Sequence, residues 1–121
     1  MSVNKVIIIG NVGKDPEIRS VGLDTVASLS VATTERYKDK SGNTQESTEW
    51  HKVTAWRSQA EFVSKYVKKG AQVYVEGKLT TRKWTDNSGA ERYSTEIQAQ
   101  SIQLLGRKEE TTPQAFGNGP I

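Results

Sequence analysis

A small all-β barrel carrying one helix is the fold this sequence predicts, and three observations point to it. Alternating or β-branched stretches recur along most of the 121 residues. A single segment, Ser58 to Gly70, changes to helical spacing. The polar clusters Ser41-Gly42-Asn43 and Thr85-Asp86-Asn87-Ser88-Gly89 mark two hairpin turns.

The first strand is Val3 to Gly10 (VNKVIIIG), β-branched and closing on glycine. The second, Thr25 to Thr34, alternates: Ala27, Leu29 and Val31 face one way, Ser28 and Ser30 the other. Glu35 to Thr48 is polar and suits a long hairpin with an exposed tip, and Glu49 to Trp56 is the third strand. Ser58-Gln59-Ala60-Glu61 has the form of a capping box, in which serine and glutamate satisfy exposed N–H groups at a helix start. Phe62, Val63, Tyr66 and Val67 follow at helical spacing. Lys68 and Lys69 suit the negative end of the helix dipole, and Gly70 a left-handed stop.

Ala71 to Trp84 is the fourth strand, with Val73, Val75 and Leu79 inward and Gly77 at a bend or bulge. After the Thr85–Glu91 turn, Tyr93 to Leu105 is the fifth. Its apolar parity slips from Ile97 and Ala99 to Ile102 and Leu104, which predicts a bulge near Gln100. Residues 1–106 make the domain, and 107–121, with Pro113, Gly117, Gly119 and Pro120, read as a flexible polar tail. Three strands, a helix and two strands is the order of the OB-fold, a five-stranded Greek-key barrel with its helix between strands 3 and 4. The strands alone also permit an SH3-like barrel, but a full helix at this position favours OB.

Composition narrows the chemistry. A hydrophobic content of 34% supports one modest core and leaves much surface for partners. The absence of cysteine excludes disulfides, thiolate zinc sites and thiol catalysis, and a lone histidine, His51, excludes a multi-histidine metal site. The longest apolar run, Val6 to Ile9, is too short to span a bilayer, and the N-terminus does not read as a signal peptide. The expectation is a cytoplasmic protein with no membrane partner.

Gly10-Asn11-Val12-Gly13-Lys14 is not a phosphate loop. Ile8 stands where the motif needs glycine, and Asp15 where it needs Ser or Thr for magnesium. A metal-dependent phosphoryl hydrolase built from Glu49, Asp86 and Glu91 has no supporting spacing. We therefore expect a binding protein, not an enzyme, with no catalytic residue, cofactor or metal.

The net charge of +3 is a mild pointer to an anionic partner, so the placement of the cations decides. Period-two geometry puts Trp50, Lys52, Thr54 and Trp56 on one face of the third strand and His51, Val53 and Ala55 on the other. On the fourth strand Lys78, Thr80, Arg82 and Trp84 point outward. Rings interleaved with cations suit single-stranded nucleic acid, because every base offers a π-face and every link a phosphate. The competing use of these tryptophans is packing against another subunit or under the long hairpin. His51 reads as a packed or interface histidine rather than a ligand. Lys68 and Lys69 are most simply helix-end charges, with a DNA contact as the alternative.

The segments VNKVIIIGNVGKDPEIR, ATTERYKDKSGNTQESTEWHKV, YVKKGAQVYVEGKL and TRKWTDNSGAERYSTEI, in this order and spacing, resemble the bacterial-type single-stranded DNA-binding proteins over Val3 to Gly106. The resemblance implies an OB-fold homotetramer that coats single-stranded DNA with little sequence preference during replication, recombination and repair, and so a nucleoid-associated location. It places base-stacking rings at Trp50, Trp56 and Trp84, with Tyr37 where the family often has tryptophan and Trp56 where it often has phenylalanine. It implies phosphate contacts by Lys52, Lys68, Lys69, Arg82 and Lys83, and a subunit-interface position for His51. Family members usually end in an Asp-rich tip closing Ile-Pro-Phe. This chain ends TTPQAFGNGPI, which fits a shortened chain or a short relative that only coats DNA, and counts against recruitment of replication and repair proteins by that route. A primosomal replication protein of the N type, acting mainly through protein–protein contacts, is the alternative within the fold. The three outward tryptophans argue against it.

Overall fold

Small and β-branched side chains at alternate positions draw the strands around one core. The structure, a computed structural model, describes residues 1–107. Its elements are β1 (Val6–Val12), β2 (Glu17–Val21), β3 (Asp24–Lys38), β4 (Thr44–Trp56), α1 (Ser58–Tyr66), β5 (Ala71–Thr85) and β6 (Glu91–Arg107). Ala27, Leu29 and Val31 of β3 meet Val53 and Ala55 of β4, Val73 and Val75 of β5, and Ile97 and Ile102 of β6. Ala60 and Val63 of α1 close one end of this core.

The sheet order is β1-β5-β6-β4-β3-β2, and a further β1–β3 pairing closes it. β4 and β6 run parallel through Val53↔Ile97 and Thr54↔Gln98, and the other pairs are antiparallel. With β2 set aside as an edge strand, this is the five-stranded barrel with an interposed helix expected from the sequence, an OB-fold. No helix among the described residues is long and apolar enough to cross a membrane. The tail expected over 107–121 lies, from residue 108 on, outside the described residues, and the backbone of Arg107 still pairs with Ala71.

Several boundaries differ from expectation for identifiable reasons. Gly10 does not end the first strand. It sits buried inside β1 where β1 changes partner from β5 to β3, and a Cβ there would strike the carbonyl oxygen of Ala32. β2 was not foreseen: all five of its residues are exposed, so no buried periodicity announces it. The capping box does not form. Arg57, at φ 55°, takes the N-cap position, with its N–H on the Thr25 carbonyl and its Nε on Asp24 Oδ1, so Ser58 is already helical. The helix stops at Tyr66, and Gly70 (φ 89°) donates instead to the carbonyl of Val12. Leu79, expected inside, is half exposed, because β5 leaves the barrel beyond Gly77.

The predicted bulge is present: Glu76 faces Ser101 and Gly77 faces Ala99, which leaves Gln100 unpaired. The long hairpin expected over Glu35–Thr48 is present, with strand pairing running up to Lys38 and Thr44 and a turn of only Asp39 to Asn43. Both hairpins are closed by one device. Asp39 Oδ1 accepts the N–H groups of Ser41 and Asn43, and Asp86 Oδ1 those of Ser88 and Ala90. In each, the glycine three places on, Gly42 or Gly89, has φ 86°. Arg92, Ser88 and the backbone N–H of Ala90 hold the Asp86 carboxyl down at about 2.

Candidate nucleic-acid interface

The face opposite the core on β4 continues across four neighbouring strands. One row runs Glu17 (β2), Ser28 (β3), Thr54 (β4), Gln98 (β6) and Lys78 (β5), each paired with the next. A second row sets Arg19, Val26 and Trp56 side by side. Val26 is buried although it lies outside the core cluster, and its sheet neighbours on this outer face are Trp56 and Arg19. Strands lie about 4.8 Å apart, so five of them make a floor of roughly 20 Å, wide enough for a polymer to cross.

Three clefts open on this floor. One of about 430 Å³ is bordered by Trp50, Lys52, His51, Lys14 and Arg19. The next, about 290 Å³, is bordered by Trp56, Lys52, Arg82, Arg19 and Glu96. The third, about 380 Å³, has Lys52, Arg82, Trp84 and Tyr93 around it. Lys52 borders all three and Arg82 two of them, so each tryptophan shares a cleft with at least one of these cations. The residues are 59% (Trp50), 37% (Trp56) and 44% (Trp84) exposed, although tryptophan is usually well covered in a folded chain.

Glu96 lies at the centre, 8% exposed. Its Oε1 accepts from the Thr54 hydroxyl at 2.9 Å. Its Oε2 accepts from Arg82 Nη2 at 2.9 Å, Arg82 Nε at 3.3 Å and the Ser94 hydroxyl at 3.2 Å, with Lys52 Nζ at 3.5 Å. Burial pushes its carboxyl up, but Arg82, Thr54 and Lys52 outweigh that and leave it below its ordinary value. Among the described residues no three potential metal ligands come together.

The structure thus brings Trp50, Trp56, Trp84, Lys52 and Arg82 onto one surface. Lys83 belongs to the other face of the β5–β6 ribbon and pairs with Glu91 at 2.9 Å. Tyr37, opposite Gln45, stands half exposed on the other face of the β3–β4 ribbon, in the row of His51. Lys68 and Lys69 follow α1 and border none of the three clefts. The N–H of Lys69 donates to Asp15 Oδ1. His51 is half-buried, with Nε2 2.9 Å from the Thr33 hydroxyl. Sequence reasoning missed Lys14, Arg19, Tyr93 and Glu96. For Glu96 a signal was present: counting outward from the Asp86–Ala90 turn sets Thr80 against Glu96 and Arg82 against Ser94.

Comparison with known proteins gives consistent results. Residues 3–105 match the single-strand binding protein family. Single-stranded DNA-binding protein 1 of Xylella fastidiosa is 51% identical over 112 residues, covering 90% of this chain and 82% of that protein. Single-stranded DNA-binding protein 1 of Chlorobaculum tepidum is 49% identical over 109 residues, 88% of this chain and 67% of its own. Among solved structures, the Plasmodium falciparum SSB complex with ssDNA matches with a TM-score of 0.78 at 35% identity, over 87% of this chain and 96% of that one.

Proposed function

The chain belongs to the single-strand binding protein family, and from that premise we propose that its tryptophan-bearing face binds single-stranded DNA with little sequence preference and protects it during replication, recombination and repair. The observation that carries this reading is the exposure of Trp50, Trp56 and Trp84 on one sheet face that also holds Lys52 and Arg82. Bases stack on the rings, each stack contributing about 1–3 kcal/mol and none demanding a particular base. The cations displace counterions from the phosphates. Lys14 and Arg19 extend the basic border toward β2. Lys68, Lys69 and Lys83, and the ring of Tyr37, serve a strand that continues around the barrel beyond the central face.

Residues 1–106 are the binding unit and assemble as a homotetramer in the cytoplasm, on the nucleoid. Ile7 and Ile9, more than half exposed on the outer side of β1, favour self-association, and His51 is assigned to a subunit contact. A mass of four chains in solution is the expected result, and a monomer at micromolar concentration would count against it.

The decisive experiment is tryptophan fluorescence during titration with a thymine oligonucleotide at low and high salt. Strong quenching with a salt-dependent midpoint is expected. A folded protein that shows no quenching at low salt has its rings between subunits instead, and the DNA reading fails. In the same assay Lys52→Ala should flatten the log–log salt slope by about 0.7, one phosphate's worth on a single strand. An unchanged slope removes Lys52 from the contacts.

A further inference from the structure

We propose that Glu96 is a positioning residue for the bound strand: from the groove floor its carboxylate fixes Lys52 and Arg82, which come from different strands, and cancels one of their two charges toward a phosphate. The inference rests on reading this face as a single-stranded DNA site.

Glu96 is the one buried charged side chain among the described residues, and it lies beneath a surface that would receive a polyanion. Such a carboxylate is costly twice over, through lost hydration and through repulsion of phosphate. It is nonetheless held from both sides. The hydroxyls of Thr54 and Ser94 fix its two oxygens, and the cations need not supply that anchoring. Arg82 spends Nε–H and one Nη2–H on Oε2 and keeps its remaining N–H groups free of the carboxylate. The side chains of Arg82 and Lys52 are still 57% and 48% exposed, so both stay reachable from solvent.

Long cationic side chains lose much rotamer freedom when a ligand orders them. Here that ordering precedes the strand. The same contact has an electrostatic consequence, because two cations astride one anion act at a distance as one positive charge. Fewer counterions are then released than the number of cations in the groove suggests.

Two opposite effects follow for Glu96→Gln, whose amide still offers partners to Thr54 and Ser94. The salt slope should steepen by about 0.7, as one more positive charge is left uncompensated. Affinity at high salt should fall, because Lys52 and Arg82 are no longer held. The variant therefore binds the thymine oligonucleotide more tightly than the parent at low salt and more weakly at high salt. Glu96→Asp, which keeps the charge, should restore the parental slope. A folded Glu96→Gln protein whose curve runs parallel to the parent's, or is flatter, overturns the proposal, since a merely structural residue lowers affinity equally at all salts.

If Glu96→Gln does not fold, side-chain NMR of the unaltered protein decides. The Arg82 Nε–H and Lys52 ammonium should be ordered without DNA, and motion as free as that of Lys38 and Lys40 overturns the proposal. Failure of the unaltered protein to bind the oligonucleotide would sink the DNA reading itself. Normal binding with an unmoved slope in Glu96→Gln would sink only this inference.

Discussion

Trp50→Ala should weaken binding of a thymine oligonucleotide by roughly 5- to 150-fold, the equivalent of about 1–3 kcal/mol, and leave the fold standing. Trp50 is not part of the core cluster and the residue is more than half exposed, so removal of its ring opens no core cavity. Its seat is specific. A Cβ on Gly13 would run into the ring, 2.6 Å from Cη2 and closer still to Cζ3. Gly13 is itself pinned by its N–H to the carbonyl of Ser30. Gly13→Ala thus displaces the indole without deleting it and should cost less affinity than Trp50→Ala. The check is fluorescence or anisotropy titration beside thermal unfolding. A sharp fall in melting temperature with unchanged affinity would assign the ring to packing.

The largest expected loss of stability comes from a single methyl group at Gly77. A Cβ there would collide with the carbonyl oxygen of Gln98 and stand 2.9 Å from its carbon and 3.0 Å from Ala99 Cα. All three atoms are backbone in the adjoining strand, so no rotamer change relieves the contact. Gly77→Ala should cost about 3 kcal/mol in urea unfolding. It should also weaken DNA binding in whatever folded fraction remains, because beyond this point β5 carries Arg82 and Trp84. A loss below about 1 kcal/mol would show that β6 yields at its bulge.

How much of this was legible in the sequence depended on whether burial imposed a pattern. On β4, Val53 and Ala55 had to face the core, which alone placed Trp50, Lys52 and Trp56 outside. On β6, the slip between Ala99 and Ile102 located the unpaired Gln100. Where nothing is buried the pattern falls silent, as for β2 and for both hairpin arms, which are held by pairs such as Arg36–Glu46 and Thr34–Thr48. The helix start was misjudged because a local motif at Ser58 lost to tertiary ties on Arg57. Glu96 was legible only in its register, counted from the Asp86–Ala90 turn. Its meaning lies in partners from β4 and β5 as well as β6, and one-dimensional alternation gives only its own face.

The matched tips at Asp39–Asn43 and Asp86–Ala90 bear on how such a barrel assembles in time. Barrels fold slowly when distant segments must find one another, whereas a hairpin with a well-defined turn closes in about 1–10 μs. Here each tip begins a ladder that zips outward, through thirteen partner pairs from Lys38↔Thr44 to Val26↔Trp56 in one case and from Thr85↔Glu91 toward Ala71↔Arg107 in the other. Most of the sheet is therefore local in sequence. Long-range search is left to two seams, β1 closing on β3 and β5, and the short parallel junction of β4 with β6. That junction joins the two ribbons and completes the floor between Thr54 and Gln98, so the groove comes into being only when the slowest contacts are made.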